Sequence, residues 1–284
     1  MGAYAAITER IICLITSEQQ LPWHKPFRVM APINTISKKP YRGINRLVLS
    51  TAGFSDPRFL TFKQALDLGG HVRKGEKGLP VVFWKFERDA DSEDRKNSVV
   101  CRSFTVFNVE QCNDLDVPEF EAPQVNPDAI KATHDLVDAY KNGPRIKWGF
   151  DRACYSPKED LVWMPKQEAF ESSESCFGTL AHELTHSTMH ESRLNRKPAA
   201  PVKFGSEDYS AEELVAELGA AFLCGDFGIH TQVTQSAAYV KGWLRALKND
   251  RSMIIRAAAR AEKAADWILG HREEIEQLAE TEAA

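Results

Sequence analysis

The motif His182-Glu183-x-x-His186 constrains this chain more than any other feature, because it lies in a segment that favours a helix. Four residues are slightly more than one helical turn, so both histidines project from the same face. Two imidazoles at this spacing can bind one Zn²⁺ ion, and Glu183 can reach a water on the metal. Ser172 or Ser173 can cap the helix, and an apolar stripe predicts a buried opposite face. The sequence therefore predicts a metal site on a helix.

A second helix-forming segment, from Asp208 to Leu223, supplies carboxylates for the same site. Glu213 and Glu217 are four residues apart, and their helix face also carries small residues that let two helices approach closely. Carboxylates at such a contact are costly unless they are paired or bound to metal. The alternative is a capping box, Ser210-x-x-Glu213, in which Glu213 only satisfies backbone N–H groups at a helix start. A cap alone does not explain Glu217.

The composition is that of a globular protein. The chain has 284 residues, 43% of them hydrophobic, which suffices for one large or two ordinary domains. It contains no apolar run of about 18 residues or more and no signal-peptide pattern, so neither a membrane span nor secretion is expected. Its six cysteines form no Cys-x-x-Cys pair. Reduced thiols in a cytoplasmic protein are the expectation.

The charge is distributed unevenly along the chain. Residues 1–88 contain 14 basic and 6 acidic residues, a formal charge of +8, whereas the remaining 196 contain 22 basic and 34 acidic residues, a formal charge of −12. Such asymmetry indicates two domains with different partners. Residues 114–127 are acidic, rich in proline and without helical periodicity. They are predicted to be a linker between a domain at 1–113 and a domain at 128–284.

Within the basic domain, cations are interleaved with aromatic residues and turn formers, as contact with single-stranded nucleic acid requires. Bases stack on aromatic rings at about 1–3 kcal/mol each, and Lys or Arg neutralises phosphates. The alternative is that the aromatic residues belong to the core and the charges form a solvated face. The charge asymmetry favours contact with single-stranded DNA. The candidate contact residues are Trp23, Lys25, Lys38, Lys39, Tyr41, Arg42, Arg46, Arg73, Lys74 and Lys77.

The metal motifs resemble those of a known group of enzymes. The motif His182-Glu183-x-x-His186 followed by Glu213-x-x-x-Glu217 is similar to the gluzincin arrangement of zinc metallopeptidases. The resemblance implies that both histidines and Glu213 bind the metal, that Glu183 is the general base and that Glu217 orients a ligand histidine. Many gluzincins have Asp where this chain has Glu217. Zn²⁺ is the expected metal, with Mn²⁺ as the alternative.

A hydrolytic site also needs a donor for the developing oxyanion. Tyr209, at the start of the second helix, and Tyr155, in the segment before the metal helix, are the two candidates, and the sequence does not select between them. The segment around Tyr155 is predicted to form two short strands around a turn at 156–160. In zincins a strand ahead of the metal helix lines the cleft, and Leu161–Met164 is the predicted match.

The order of motifs closely resembles the ArdC antirestriction family encoded by mobile elements. The matching segments are Pro22-Trp23-x-Lys25-Pro26, Pro40-Tyr41-Arg42-Gly43-Ile44-Asn45, Thr61-Phe62-Lys63-Gln64-Ala65 and Gly69-Gly70-x-Val72-Arg73-Lys74-Gly75-Glu76-Lys77-Gly78. The resemblance implies an N-terminal domain that binds single-stranded DNA, a C-terminal zincin-like metallopeptidase domain, and protection of incoming plasmid DNA from restriction. The conjugative primases called TraC share the N-terminal module, but this chain has no recognisable primase machinery.

These features predict an α+β protein with two domains, a small α+β DNA-binding domain and a mainly helical, gluzincin-type metallopeptidase domain. Two functions remain open. In the first, DNA binding delivers a peptidase to its target, such as a restriction enzyme or another DNA-bound protein. In the second, the protein masks single-stranded DNA and the metal site is structural or regulatory. An intact Glu183 favours hydrolysis, because a structural site has no use for a carboxylate there.

Overall fold

A computed structural model of the chain describes residues 3–18, 21–24, 30–87, 98–121, 128–196, 207–230 and 237–271. The helices are α1 (Ala3–Glu18), α2 (Gly43–Ser50), α3 (Phe62–Asp67), α4 (Ala129–Ala139), α5 (Ser173–Ser187), α6 (Glu207–Phe227), α7 (Ala237–Asn249) and α8 (Met253–Leu269). The strands are β1 (Ile33–Asn34), β2 (Arg58–Thr61), β3 (His71–Val72), β4 (Leu79–Glu87), β5 (Ser98–Asn108), β6 (Cys112–Asn113), β7 (Arg145–Trp148), β8 (Cys154–Ser156) and β9 (Leu161–Met164). This mixture of helices and sheets confirms the predicted α+β class.

The N-terminal part is built on a four-stranded sheet in the order β1-β2-β5-β4. Strands β4 and β5 form a long antiparallel ladder that runs from Leu79 paired with Val106 to Glu87 paired with Ser98. Helix α3 begins at a capping box, in which the Thr61 hydroxyl accepts a hydrogen bond from the Gln64 backbone N–H at 3.2 Å. The short two-stranded sheet β3-β6 packs beside α3 through β3.

The C-terminal part combines a three-stranded sheet in the order β7-β9-β8 with helices α4 to α8. Strand β9 lies in the centre, parallel to β7 and antiparallel to β8, so β8 is an edge strand. Helices α5, α6 and α8 pack on one another, and α5 also packs on β8 and β9. In the described part of the chain, no helix has both the length and the apolar character needed to cross a bilayer.

The two parts share one continuous hydrophobic core, which extends from α1 and α2 to α8. Helix α2 packs directly on α8, and Gly43 at the start of α2 lies against Ala259. Gly43 has φ +55°, a conformation that favours glycine, and a Cβ there would lie 3.7 Å from Ala259 Cα. Its backbone N–H donates to Glu262 Oε2 at 3.1 Å. The parts are therefore docked through α2 and α8.

The predicted linker at 114–127 begins as part of the first domain. The Asp116 N–H donates to the Leu68 carbonyl at 2.9 Å, and Leu115 packs on a small cluster formed by Leu60, Ala65 and Val109. The chain near residue 118 is also held, since a nearby guanidinium donates to the Pro118 carbonyl. Residues 122–127 lie outside the described residues.

Candidate metal centre and nucleic-acid surface

Helix α5 carries the His-Glu-x-x-His motif as the spacing predicts. Ser172 is its N-cap, and the Ser172 hydroxyl accepts a hydrogen bond from the Ser175 N–H at 3.1 Å. The apolar face of α5, including Phe177 and Leu184, is buried in the core. The other face brings His182 and His186 together, with ring centroids 4.8 Å apart.

Glu213 on α6 completes a group of three possible metal ligands. Its carboxylate oxygens lie 3.7 Å from His182 Nε2 and 3.5 Å from His186 Nε2. One ligand atom from each of the three residues lies within 4.8 Å of the others. Two imidazoles and one carboxylate form a donor set that suits Zn²⁺ and related divalent ions. The three residues that the sequence nominated as ligands are thus brought together.

Close packing of α5 and α6 makes this arrangement possible. Gly219 faces Thr185, and a Cβ at position 219 would lie only 2.5 Å from the Thr185 side chain. The capping-box alternative for Glu213 is wrong, because α6 begins at Glu207 and Ser210 lies inside the helix. Glu213 therefore lies within α6, where it faces the histidines of α5.

The two histidines differ in their affinity for protons. Burial lowers the pKa of His182 and the charge of His186 lowers it further, while the negative charges of Glu217, Glu183 and Glu213 oppose both. Burial also lowers the pKa of His186, but interactions with Glu212 and Glu213 outweigh it and raise that pKa to about 10. The lowered pKa favours the neutral form of His182, the form that binds metal, whereas a proton competes with the metal at His186. The charge of Glu217 acts on His182, and its orienting role stays a prediction.

Glu212 is a site residue that the sequence analysis missed. Its Oε1 atom lies 3.6 Å from His186 Nδ1 and 2.7 Å from Arg196 Nη2. Arg196 also donates to the Thr185 carbonyl at 3.2 Å, which ties the segment after α5 to both helices. The sequence signal was only a second carboxylate beside Glu213. The rotation of α6 relative to α5 decides which carboxylate faces which imidazole nitrogen.

We expect Glu212→Gln to lower the affinity for Zn²⁺ or Mn²⁺ by about 10–100-fold, the usual cost of losing a partner that orients a metal-ligating histidine. Calorimetric titration of the purified protein would measure this. Glu171→Gln, which changes an exposed carboxylate just before α5, is the matched control and should leave the affinity unchanged. Equal affinities for Glu212→Gln and wild type would contradict the orienting role.

Glu183 lies beside the ligand group and is held by strand β8. The backbone N–H of Tyr155 donates to Glu183 Oε2 at 2.7 Å. The prediction of Tyr155 as the oxyanion donor is wrong, because its hydroxyl donates to Asp160 Oδ1 at 3.0 Å. Burial and the contact with Asp160 raise the pKa of Tyr155 above its ordinary value. Tyr209 is in α6, but its side chain lies outside the described residues, so its role stays a prediction.

The ligand group opens into a cavity of about 440 Å³. Helices α5 and α6 form one side of it, and β8 with its flanking residues forms the other. The prediction that Leu161–Met164 lines this cleft is wrong. That segment is β9, the central strand, whereas β8 is the edge strand and contributes Cys154 and Tyr155 to the cavity wall.

Four of the predicted DNA contacts are buried or paired inside the protein. Trp23 and Tyr41 are 2% and 6% exposed, so they are core aromatics and cannot stack on bases. The guanidinium of Arg46 is buried and donates to Asp226 Oδ1 at 2.7 Å, and Arg42 forms an ion pair with Asp266. The predictions of direct DNA contact by Trp23, Tyr41 and Arg46 are wrong, because these side chains are buried in the fold. The Arg42 side chain is 27% exposed, so its contact with DNA stays a prediction.

The other candidate DNA contacts that fall among the described residues lie at the surface. Lys38, Lys39, Lys74 and Lys77 are exposed. Arg73 is exposed too, and its guanidinium donates to Glu76 Oε1 at 2.7 Å. DNA contact by these residues stays a prediction, and Lys25 lies outside the described residues.

Two exposed phenylalanines on the β4-β5 ladder were missed by the sequence analysis. Phe83 and Phe104 are 47% and 44% exposed, and their ring centroids lie 5.7 Å apart. Arg102 is the register partner of Phe83 and is also exposed. The alternation within each strand was readable in the sequence, but the register that places these three side chains on one surface was not.

Comparisons with known protein families cover both parts of the chain. Residues 1–107 match a family described as the N-terminal domain of anti-restriction factor ArdC, and residues 134–260 match one described as zincin-like metallopeptidase. A solved structure of antirestriction ArdC protein from R388 plasmid is 34% identical and has a TM-score of 0.76. The Mn(II)-bound structure of that protein is 36% identical, with a TM-score of 0.78. Each covers 95% of this chain and 98% of the other.

Curated relatives show the same similarity over different lengths. A protein of Escherichia coli named DNA primase TraC is 38% identical over 93% of this chain, but the match spans only 27% of that relative. This chain therefore spans about a quarter of the primase. The protein y4eC of Sinorhizobium fredii is 33% identical over 93% of this chain and 91% of its own length.

Proposed function

The chain belongs to the ArdC antirestriction family, and from that premise we propose that it binds single-stranded DNA and hydrolyses a peptide bond at its metal site. The hydrolysed protein would be one bound to the incoming DNA, such as a restriction enzyme. The observation that carries this proposal is the position of Glu183, a carboxylate beside three metal-ligand residues in an open cavity. Catalytic zinc sites have three protein ligands and an open position, whereas structural sites are closed by a fourth.

His182, His186 and Glu213 would hold the metal, which is a divalent ion and by its donor set most simply Zn²⁺. When bound, such an ion polarises a carbonyl and activates water for attack. The Mn(II)-bound ArdC structure supports a divalent ion without selecting zinc.

Glu183 would move the proton in this reaction. Its Oε2 atom accepts the Tyr155 N–H, which orients the carboxylate and leaves Oε1 to accept a proton from the attacking water. The same oxygen would then deliver the proton to the leaving amine. The cavity of about 440 Å³ is large enough for several residues of a peptide chain beside the edge strand β8.

Single-stranded DNA would bind the exposed face of the β4-β5 ladder. Phe83 and Phe104 offer ring surface to bases, and exposed cations near them can neutralise phosphates. Tyr41 connects the phenylalanine rings to the turn that carries Lys38. Its ring centroid lies 6.4 Å from that of Phe83, and its hydroxyl lies 3.3 Å from the side-chain amide of Asn34, which begins this turn.

Protection of DNA against a restriction endonuclease by wild type and Glu183→Gln tests the proposal. Glu183→Gln should still bind metal and DNA, but its rate of hydrolysis should fall by about 10²–10⁴-fold, the usual contribution of a general base. Its protection of the DNA should be lost as a result. Glu171→Gln, an exposed carboxylate, is the matched control. Full protection by Glu183→Gln would favour the alternative, in which the protein masks single strands and the metal site is structural or regulatory.

A further inference from the structure

A second surface of aromatic and basic residues lies on the three-stranded sheet of the metallopeptidase domain. We call it the β7 platform and define it by Arg145, Lys147, Phe150 and Trp163. Phe150 is 41% exposed, although large aromatic side chains are usually buried. The metal site and the contacts between the two parts of the chain do not account for this exposure.

The backbone around Gly149 builds the platform. Gly149 has φ +103°, which favours glycine, and the N–H groups of Gly149 and Phe150 both donate to the Met164 carbonyl at 2.9 and 3.1 Å. The chain thereby turns Phe150 onto Trp163. Their ring centroids lie 5.5 Å apart with an interplanar angle of 17°, so the rings are stacked. The aromatic part of the platform is thus a preformed, stacked pair of rings.

The cations of the platform lie beside these rings. Lys147 is the register partner of Trp163 in the parallel β7-β9 ladder, and Arg145 is two residues earlier on the same face of β7. Both are exposed, and among the described residues none forms an ion pair with either. They stand out because residues 89–284 carry a formal charge of −12.

We propose that the β7 platform binds single-stranded nucleic acid as a second contact, separate from the β4-β5 ladder. This rests on the proposed function, in which the protein binds single-stranded DNA. Exposed aromatic rings accept bases of any sequence, and neighbouring cations neutralise the phosphates between them. A protein surface would be a poorer match, because two exposed cations with no ionic partner among the described residues favour an anionic polymer.

The location of the platform would couple DNA binding to the cavity. Cys154 is the register partner of Trp163 in the β8-β9 ladder, and it also lines the cavity with Glu183. A strand on the platform would therefore lie on the sheet whose edge strand forms the cavity wall. Proteins on the same strand would be held close to the metal site.

The test is the affinity of the full chain for a fluorescent oligo(dT) of about 30 nucleotides, measured by anisotropy at several salt concentrations. The variant Phe150→Ala should bind about tenfold more weakly, since each stacked base contributes substantially. Lys147→Glu should weaken binding and reduce its salt dependence. A 4-thiothymidine oligonucleotide should crosslink within residues 145–163 of the wild type.

Two variants serve as matched controls. Ile130→Ala removes an exposed apolar side chain from α4, and Lys241→Glu reverses an exposed charge on α7. Both should bind DNA like the wild type, and all variants should bind metal equally. If the platform variants bind DNA like the wild type, or no more weakly than the controls, the platform does not contact DNA, although the protein still binds it elsewhere. If the wild type itself does not bind, the DNA part of the proposed function fails, and the platform with it.

Discussion

Glu213→Ala is expected to lower the affinity for Zn²⁺ or Mn²⁺ by more than about 100-fold. Even the partners that orient metal-ligating histidines contribute about 10–100-fold, and Glu213 would be a ligand itself. Its carboxylate oxygens approach both histidines, at 3.7 and 3.5 Å, so its removal leaves only two donors, both on one helix. Two imidazoles alone do not give the three-ligand set of a catalytic zinc site.

Calorimetric titration would measure this loss, and thermal unfolding would check it independently. A tightly bound metal raises the stability of the folded state by mass action, so the rise in melting temperature on adding metal should shrink in Glu213→Ala. Glu217→Ala, one turn further along α6, should cause the smaller loss of an orienting residue. Glu171→Ala should cause none. An unchanged affinity in Glu213→Ala would contradict its assignment as the third ligand.

Arg46→Met is expected to lower the free energy of unfolding by about 3–5 kcal/mol, the cost of removing one partner from a buried ion-pair group. Arg46 on α2 contacts Glu262 of α8 at 3.4 Å and donates to Asp226 of α6 at 2.7 Å. It also donates to the Phe222 carbonyl at 2.8 Å. The side chains of Arg46 and Glu262 are both 8% exposed, so water cannot replace the lost partner.

Urea unfolding at fixed metal concentration would measure the effect. Arg256→Met is the matched control, because the side chains of Arg256 and its partner Asp250 are 54% and 44% exposed, and such solvated pairs contribute less than about 1 kcal/mol. Adding Glu262→Gln to Arg46→Met should restore part of the lost free energy of unfolding, because it removes the buried carboxylate charge that Arg46 had compensated. If Arg46→Met were no more destabilising than Arg256→Met, the buried ion pair would not hold the two parts together.

The junction between the two parts has a consequence for how they unfold. Because α2 and α8 share a core and a buried ion-pair group, the wild type should unfold in one cooperative transition. Two family domains in sequence are thus one packed body in the described part of the chain. If the first part binds single-stranded DNA as proposed, the strand would be held at a fixed place relative to the metal cavity.

The sequence by itself determined the helix of the metal motif and its contents. The spacing of His182 and His186 and the cap at Ser172 are local properties, set within a few residues of one helix. The same holds for the α+β class, which follows from hydrophobic periodicity along the chain. Glu213 was nominated as a ligand for a related reason, since a carboxylate at a close helix contact needs a partner.

Tertiary structure decided which side chains meet across distant segments. Glu212 contacts His186 because Gly219 lets α5 and α6 approach at one rotation, and no local pattern specifies that rotation. Likewise β8 forms the cavity wall because sheet order places it at the edge.

The predicted DNA-contact residues also show which properties the sequence determines and which only the tertiary structure decides. Composition and charge marked residues 1–88 as basic, but they could not separate a buried Arg46 from an exposed Lys38. A cation between aromatic residues looks the same in sequence whether it faces water or a carboxylate of a helix more than 200 positions away. Burial depends on contacts between segments distant in the chain, so only the packed structure assigns it.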